Sequence, residues 1–243
     1  MQPLEHGHTI SEIQARLADG SRLIYLRDWI YGGIDGTVTT FAIVAGAVGA
    51  ELPAKAVIIL GAANVLADGF SMAAANYSGA RAEADNVERL RRMEERHIDQ
   101  APDGEREEIR QIFANKGLSG TTLETVVQTI SSQRQLWIDT MLKEEHGVSV
   151  SRHSPIKAAA CTFIAFVLCG MVPLLPYIFG LQASLTMATA FSAVVFFMIG
   201  SVKAKWSVQS WYLSGLSTLG IGMAAASIAY VVGHLLKTLL AGS

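Results

Sequence analysis

Asn64, Asp68 and Met72 stand at i, i+4 and i+8, a spacing that on an α-helix stacks an amide oxygen, a carboxylate and a thioether one above another. Together these donors suit a divalent cation of borderline softness. Asp35, in the preceding apolar stretch, offers a second carboxylate to the same path. An ionisable group inside a membrane span is costly, so it faces a water-filled route or a partner. The competing account is a helix-to-helix hydrogen bond from a protonated Asp68, and Met72 alone would read as a packing residue.

A second set of donors lies in polar sequence. Glu94 and His97 are three apart, Glu105 and Glu108 are three apart, and Met141 and Glu145 are four apart. Each pair shares a helix face. Several such helices packed together would offer carboxylate, imidazole and thioether groups, a set that fits Fe(II) or Mn(II) better than Cu(I). By spacing alone, a solvated helix face accounts for these pairs more readily than a metal site does.

The elements that hold these groups follow from how charge is distributed. The chain is 51% hydrophobic and 16% charged, and the two kinds of residue are segregated. No Asp, Glu, Lys or Arg stands between Lys157 and Lys203, nor between Lys205 and Lys237. Each run exceeds the roughly 20 apolar residues that cross a bilayer core about 30 Å thick. The segment from Arg81 to Arg152 instead carries fourteen acidic and eleven basic residues, a net charge of −3 that does not suggest nucleic acid. The pattern predicts an all-α, polytopic membrane protein with five transmembrane helices and a helical insert between the second and third. The spans read as 29–52, 54–80, 156–179, 183–202 and 208–236, the first two joined by a tight turn at Glu51 to Lys55. The divisions are then an amphipathic segment 1–28, two spans in 29–80, an insert at 81–152, and three spans in 153–243.

Local signals refine this plan. Ser154 followed by Pro155 caps the third span with proline at its first turn. Gly32, Gly33, Gly46 and Gly49 would let neighbouring helices approach the first span closely. The second span continues unbroken to about Asp99 and stops at Ala101-Pro102-Asp103-Gly104. Further helices are predicted from Asp103 to Lys116 before Gly117, from Ser119 or Thr121 onward, and from Gln133 to Glu145 before Gly147. Cys161 and Cys169 read as small apolar fillers of the third span rather than as ligands or a disulfide.

Arg16, Arg22 and Arg27 precede the first span, the insert is rich in Lys and Arg, and Lys203 and Lys205 separate the last two spans. The opposite loops, near Lys55 and at 180–182, are short and almost uncharged, and Lys237 alone argues the other way. The positive-inside rule then predicts a cytoplasmic amino terminus and insert, with the carboxyl terminus outside. The first twenty or so residues lack the apolar core of a cleavable signal peptide. Ile10, Ile13 and Leu17 share a helical face, which would lie on the membrane surface or pack against the insert.

Three runs in register resemble the vacuolar iron transporter family: Asp35-Gly36-Thr37-Val38-Thr39-Thr40-Phe41-Ala42, Asp68-Gly69-Phe70-Ser71-Met72 and Val172-Pro173-Leu174-Leu175-Pro176-Tyr177. The likeness extends from about Arg22 onward. It implies a proton-coupled antiporter, not an enzyme, that exports Fe(II) and often Mn(II) from the cytosol. It also implies a homodimer in the bilayer, with no organic cofactor and no nucleic-acid partner. A prokaryotic-type member would sit in the cytoplasmic membrane. By the resemblance, Asp35 and Met72 match the in-membrane metal residues, and Glu94, Glu105, Glu108, Met141 and Glu145 match the cytosolic metal positions. The chain departs from the pattern with His97 where a glutamate is expected and Leu142 where a second methionine follows Met141. Asn64 replaces an acid found in some relatives, and Asp68 adds one a turn away. An imidazole ligand would make metal capture pH-sensitive, and Asp68 is a candidate for proton coupling. The absence of a nucleotide-binding loop also favours proton-driven exchange.

Two other functional classes compete. Glu94-x-x-His97 has the spacing of a half-site in ferritin-like di-iron proteins, which would make the insert a membrane-anchored ferroxidase. The other match, Glu5-x-x-His8, is interrupted by Gly7, and the insert's helices are short for a four-helix bundle. A membrane scaffold whose insert binds a partner is disfavoured by Asp35 and Asp68, since a scaffold has no use for costly intramembrane acids.

Overall fold

A segment that meets lipid must satisfy its backbone N–H and C=O groups internally, which selects the helix for single spans. The computed structural model describes residues 8–19, 25–148, 154–181, 184–206 and 208–241, and its regular elements there are all helical. Glu5, Arg22, Arg152 and Gln182 lie outside these residues, as do the side chains of Arg16 and Leu17. The order is α1 (Ile10–Asp19), α2 (Leu26–Gly49), α3 (Ala54–Gln100), α4 (Pro102–Asn115), α5 (Gly120–Ser131) and α6 (Arg134–Glu144). There follow α7 (Pro155–Gly170), α8 (Leu175–Ile178), α9 (Ser184–Lys203) and α10 (Trp211–Ala241). Among the described residues, five helical stretches are long and apolar enough to cross a membrane, those of α2, α3, α7 with α8, α9 and α10.

The expected spans are present, and two details of them come from the structure. The first begins at Leu26 rather than Trp29, so Asp28 belongs to the helix and not to the polar flank. The third is not one continuous helix: a 3-10 turn at Val172–Leu174 separates α7 from α8. Pro173 and Pro176 each remove an N–H donor there, and their rings disfavour an unbroken ladder. By contrast α3 runs for 47 residues, as the absence of a breaker before Ala101 predicts. The chain forms two compact units, Met1–Asn76 with Ile156–Ser243, and Tyr77–Pro155.

In the first unit α2 packs against the backbones of its neighbours. A Cβ added at Gly36 would stand 2.4 Å from the Phe166 carbonyl oxygen of α7, and one at Gly49 would stand 2.3 Å from that of Tyr230 in α10. Buried hydroxyls turn back onto their own helices. Thr37 Oγ1 donates to the Gly33 carbonyl at 2.8 Å, and Ser192 Oγ to that of Ala188 at 2.7 Å. Thr37 and Ser192 are thereby accommodated without free donors, whereas Thr40 Oγ1 and Ser214 Oγ are buried without a hydrogen-bond partner. The turn after α2 closes with Glu51 N–H to Val48 O at 2.9 Å and Leu52 N–H to Ala47 O at 2.8 Å. Glu51 holds a φ of 56° in that turn. Lys237 of α10 hydrogen-bonds the Glu51 side chain and holds its carboxyl below the ordinary range. On α3, Ile59, Leu66 and Phe70 face outward, as a lipid-exposed face requires.

The second unit has its own apolar core, built from Leu90 and Ile98 of α3, Ile109 of α4, Leu123, Val127 and Ile130 of α5, and Trp137, Ile138, Met141 and Leu142 of α6. Ion pairs fix α6 along α3. Arg134 grips both oxygens of Asp99 at 2.6 and 2.9 Å, and Arg91 reaches Asp139 at 2.8 Å.

The close approach at Gly36 predicts that Gly36→Ala will displace α7, at a cost of about 1–3 kcal/mol. Thermal unfolding in detergent should show a clear drop in midpoint. Gly79→Ala, where an added Cβ meets nothing within 4 Å, should leave the midpoint unchanged or raise it slightly. Equal behaviour of the two variants would contradict the packing described.

Candidate metal centre

Glu94 occupies a position in α3 that its neighbours one turn away, Leu90 and Ile98, use for the core. It is completely buried, and Glu105 of α4 is 4% exposed. On α4 the inward positions are likewise i and i+4, Glu105 and Ile109. A third approach comes from the end of α6. The N–H groups of Glu145 and His146 both reach the Met141 carbonyl, at 3.0 and 3.3 Å, and Gly147 then turns the chain at a φ of 64°. With α6 tied down by Arg134 and Arg91, this last turn carries Glu145 and His146 to Glu94.

His146 Nε2 lies 2.8 Å from Glu94 Oε1 and 3.6 Å from Glu145 Oε2. His97 Nδ1 lies 3.3 Å from Glu105 Oε1. Two groups of donors result, Glu94 with Glu145 and His146, and Glu94 with His97 and Glu105. Within each, one ligand atom per residue falls inside 4.8 Å of the others, and Glu94 belongs to both. The second oxygens of Glu94 and Glu105 are buried without a hydrogen-bond partner.

The electrostatics agree with this crowding. Burial, reinforced by the charges of Glu108, Glu94 and Glu145 and by a hydrogen bond that the protonated carboxyl shares with Glu94, pushes the Glu105 carboxyl up to about 7. Burial also raises Glu145; Glu94 and Glu108 add to that shift, while His146 and His97 oppose it. Desolvated carboxylates without compensating donors cost several kcal/mol each. A divalent cation or bound protons would relieve that cost, so the arrangement is suited to reversible cation binding.

Of the residues predicted from spacing, Glu94, His97, Glu105 and Glu145 are therefore brought together. Glu108 is exposed, and its charge acts on both Glu105 and Glu145. Met141 is fully buried in the apolar core. His146 was not predicted: the one available signal was an imidazole directly after Glu145 and before the helix-ending Gly147.

In the membrane unit, Asn64, Asp68 and Met72 are each half-buried, matching a shared face of α3. Asn64 Nδ2 donates to Thr39 Oγ1 at 3.3 Å, and Thr39 Oγ1 to the Asp35 carbonyl at 2.9 Å. Asp35 is half-buried and feels the charge of Asp68. A further acid, Asp28, is 2% exposed. Asn76 of α3 donates to Asp28 Oδ1 at 2.8 Å and to Thr162 Oγ1 of α7 at 2.7 Å, tying three helices together. Its spacing of seven from Asp35 on α2 puts both acids on one side of the helix. That was the available signal. Cys161 and Cys169 are free thiols.

A family model described as the VIT family matches residues 26–234, nearly the whole of the helical chain. The chain belongs to the VIT family. It is similar to the protein named vacuolar iron transporter of Toxoplasma gondii, at 35% identity over 225 residues, covering 88% of this chain and 74% of that one. It is similar to vacuolar iron transporter 2 of Oryza sativa subsp. japonica, at 34% identity over 84% of this chain and 85% of the relative. With vacuolar iron transporter 1 of Eucalyptus grandis it shares 31% identity over 92% and 94% of the two chains. With five apolar helical stretches among its described residues, this VIT family member is a multi-pass membrane protein.

The raised Glu105 carboxyl has a defined consequence for stability. Its folded value of about 7 exceeds its ordinary value of 4.5, so the folded state favours the protonated form. The metal-free protein should therefore lose stability as pH rises from 4.5 to about 7, with no further loss from this group above that. Glu105→Gln should remove this part of the slope, so its advantage in thermal unfolding should grow across that window. Added Mn(II) should reverse the order at the alkaline end. A constant difference between the two proteins across pH would contradict the assignment.

Proposed function

We propose that this VIT family protein is a proton-coupled antiporter that exports Fe(II), and also Mn(II), from the cytosol, with the insert gathering metal before transport. The observation that carries the reading is the buried carboxylate–imidazole cluster around Glu94, whose orphaned oxygens call for an exchangeable cation. The relatives named as iron transporters supply the cargo. Asp35 and Met72 are the in-membrane metal residues, assisted by Asn64, and Asp68 carries the proton. Between Arg27 and Lys55, and again between Lys55 and Arg81, no Lys or Arg is available to neutralise these acids. Metal and protons then compete for the same carboxylates, which is the chemical basis of exchange.

In this reading the protein is a homodimer of a prokaryotic cytoplasmic membrane, with amino terminus and insert in the cytoplasm and the carboxyl terminus outside. It performs no enzymatic reaction. A ferritin-like ferroxidase would require a second E-x-x-H motif within the insert, which the sequence there lacks. The helices α4, α5 and α6 are only 14, 12 and 11 residues long.

Reconstitution in proteoliposomes with an imposed pH gradient tests the proposal. Fe(II) and Mn(II) should move against the proton flux. Asp35→Asn should abolish transport while the insert still binds metal. Asp68→Asn should lose the coupling between metal and proton movement. Undiminished exchange by Asp68→Asn would remove that residue from the mechanism, and the absence of any metal transport by the folded wild type would overturn the proposal as a whole.

A further inference from the structure

We infer that His146 is a metal ligand of the insert. With Glu94 and Glu145 it forms a carboxylate–imidazole lobe that takes a divalent cation of borderline softness. This deepens the proposed function and rests on the insert's being a metal-gathering unit. The side chain of His146 is 17% exposed, and its Nε2 stands 2.8 Å from Glu94 Oε1. The same nitrogen stands 3.6 Å from Glu145 Oε2, so one ring nitrogen hydrogen-bonds Glu94 and lies close to a second carboxylate. A structural hydrogen bond to Glu94 would satisfy one oxygen and leave Oε2, buried in a side chain only 1% exposed, without a partner. A cation bound among Glu94, Glu145 and His146 completes the coordination that these residues leave open.

The placement has consequences for selectivity. Glu94 meets an imidazole in each of its two donor groups, His146 in one and His97 in the other. Nitrogen ligands favour Fe(II), Co(II) and Zn(II) over Mn(II) more strongly than an all-carboxylate set does. His146 thus biases the insert away from the harder cation. Glu94 and His146 are 52 residues apart, so no helical periodicity links them.

The test uses the full-length protein in detergent with Mn(II) or Co(II) as the added probe. Pulsed electron paramagnetic resonance of bound Mn(II) should show nitrogen coupling in the wild type. The coupling should persist in His97→Ala and vanish when His146→Gln is added. Glutamine retains a hydrogen-bond donor toward Glu94 but supplies no imidazole, and the metal-free melting profile serves as the folding check. His146→Gln alone should weaken Co(II) binding by about 10–100-fold and Mn(II) binding less. Nitrogen coupling that survives in the double variant, or that disappears in His97→Ala alone, would overturn the assignment. So would wild-type Co(II) affinity in His146→Gln, and these three results would leave the metal-gathering role intact. Failure of the wild type to bind either metal would instead overturn that role together with this inference.

Discussion

A carboxylate held in a core position, met by an imidazole rather than by a lysine or arginine among the described ion pairs, governs the organisation of the insert. Glu94 shares an inward row with Leu90 and Ile98; its Oε1 meets His146, and its Oε2 is buried without a donor. The surrounding fold maintains this arrangement rather than relaxing it. Leu90, Ile98, Ile109 and Trp137 hold the helices together by apolar burial, while Arg134 and Arg91 lock α6 by pairing with Asp99 and Asp139. Those arginines are committed to other acids, so the cluster keeps its negative character. In the proposed function, an incoming cation would relieve the crowding of these adjacent buried carboxyls.

The membrane unit treats its polar groups in two ways. Hydroxyls such as Thr37 and Ser192 are absorbed by their own helices, and Asn76 donates to one oxygen of Asp28 in a link that also reaches Thr162. Asp35 and Asp68 are instead left half-buried. The glycines of α2 give this contrast its rigidity. At Gly36 and Gly49 no side chain separates α2 from the backbones of α7 and α10, so Asp35 is carried on a helix with little room to shift.

Much of the fold was legible because the signals are local and cumulative. Transfer of an uncharged run such as 158–202 into lipid is favoured residue by residue, without reference to the rest of the chain. The unbroken course of α3 and the ends of the insert helices followed from the presence or absence of proline and glycine. The helix α2 begins three residues before Trp29, taking in Arg27 and Asp28, which by sequence look like a polar flank. Burial of Asp28 depends on Asn76, 48 residues away, and on Thr162. The break between α7 and α8 was written in Pro173 and Pro176, although apolar length alone hid it.

The sequence by itself determined five apolar spans, a charged helical insert, and the stock of carboxylate, imidazole, amide and thioether donors on particular helix faces. Periodicity can assign such faces because i and i+4 are neighbours within one helix whatever surrounds it. Only the tertiary structure decided which faces meet. It joined Glu94 to His146 across 52 residues, brought His97 to Glu105, and buried Met141 among apolar side chains. Those pairings come from the packing of helices distant in the chain, set jointly by core shape, the ion pairs of α6 and the turn at Gly147. The physical reason is that spacing along a helix constrains direction, whereas coordination requires several directions to converge on one point.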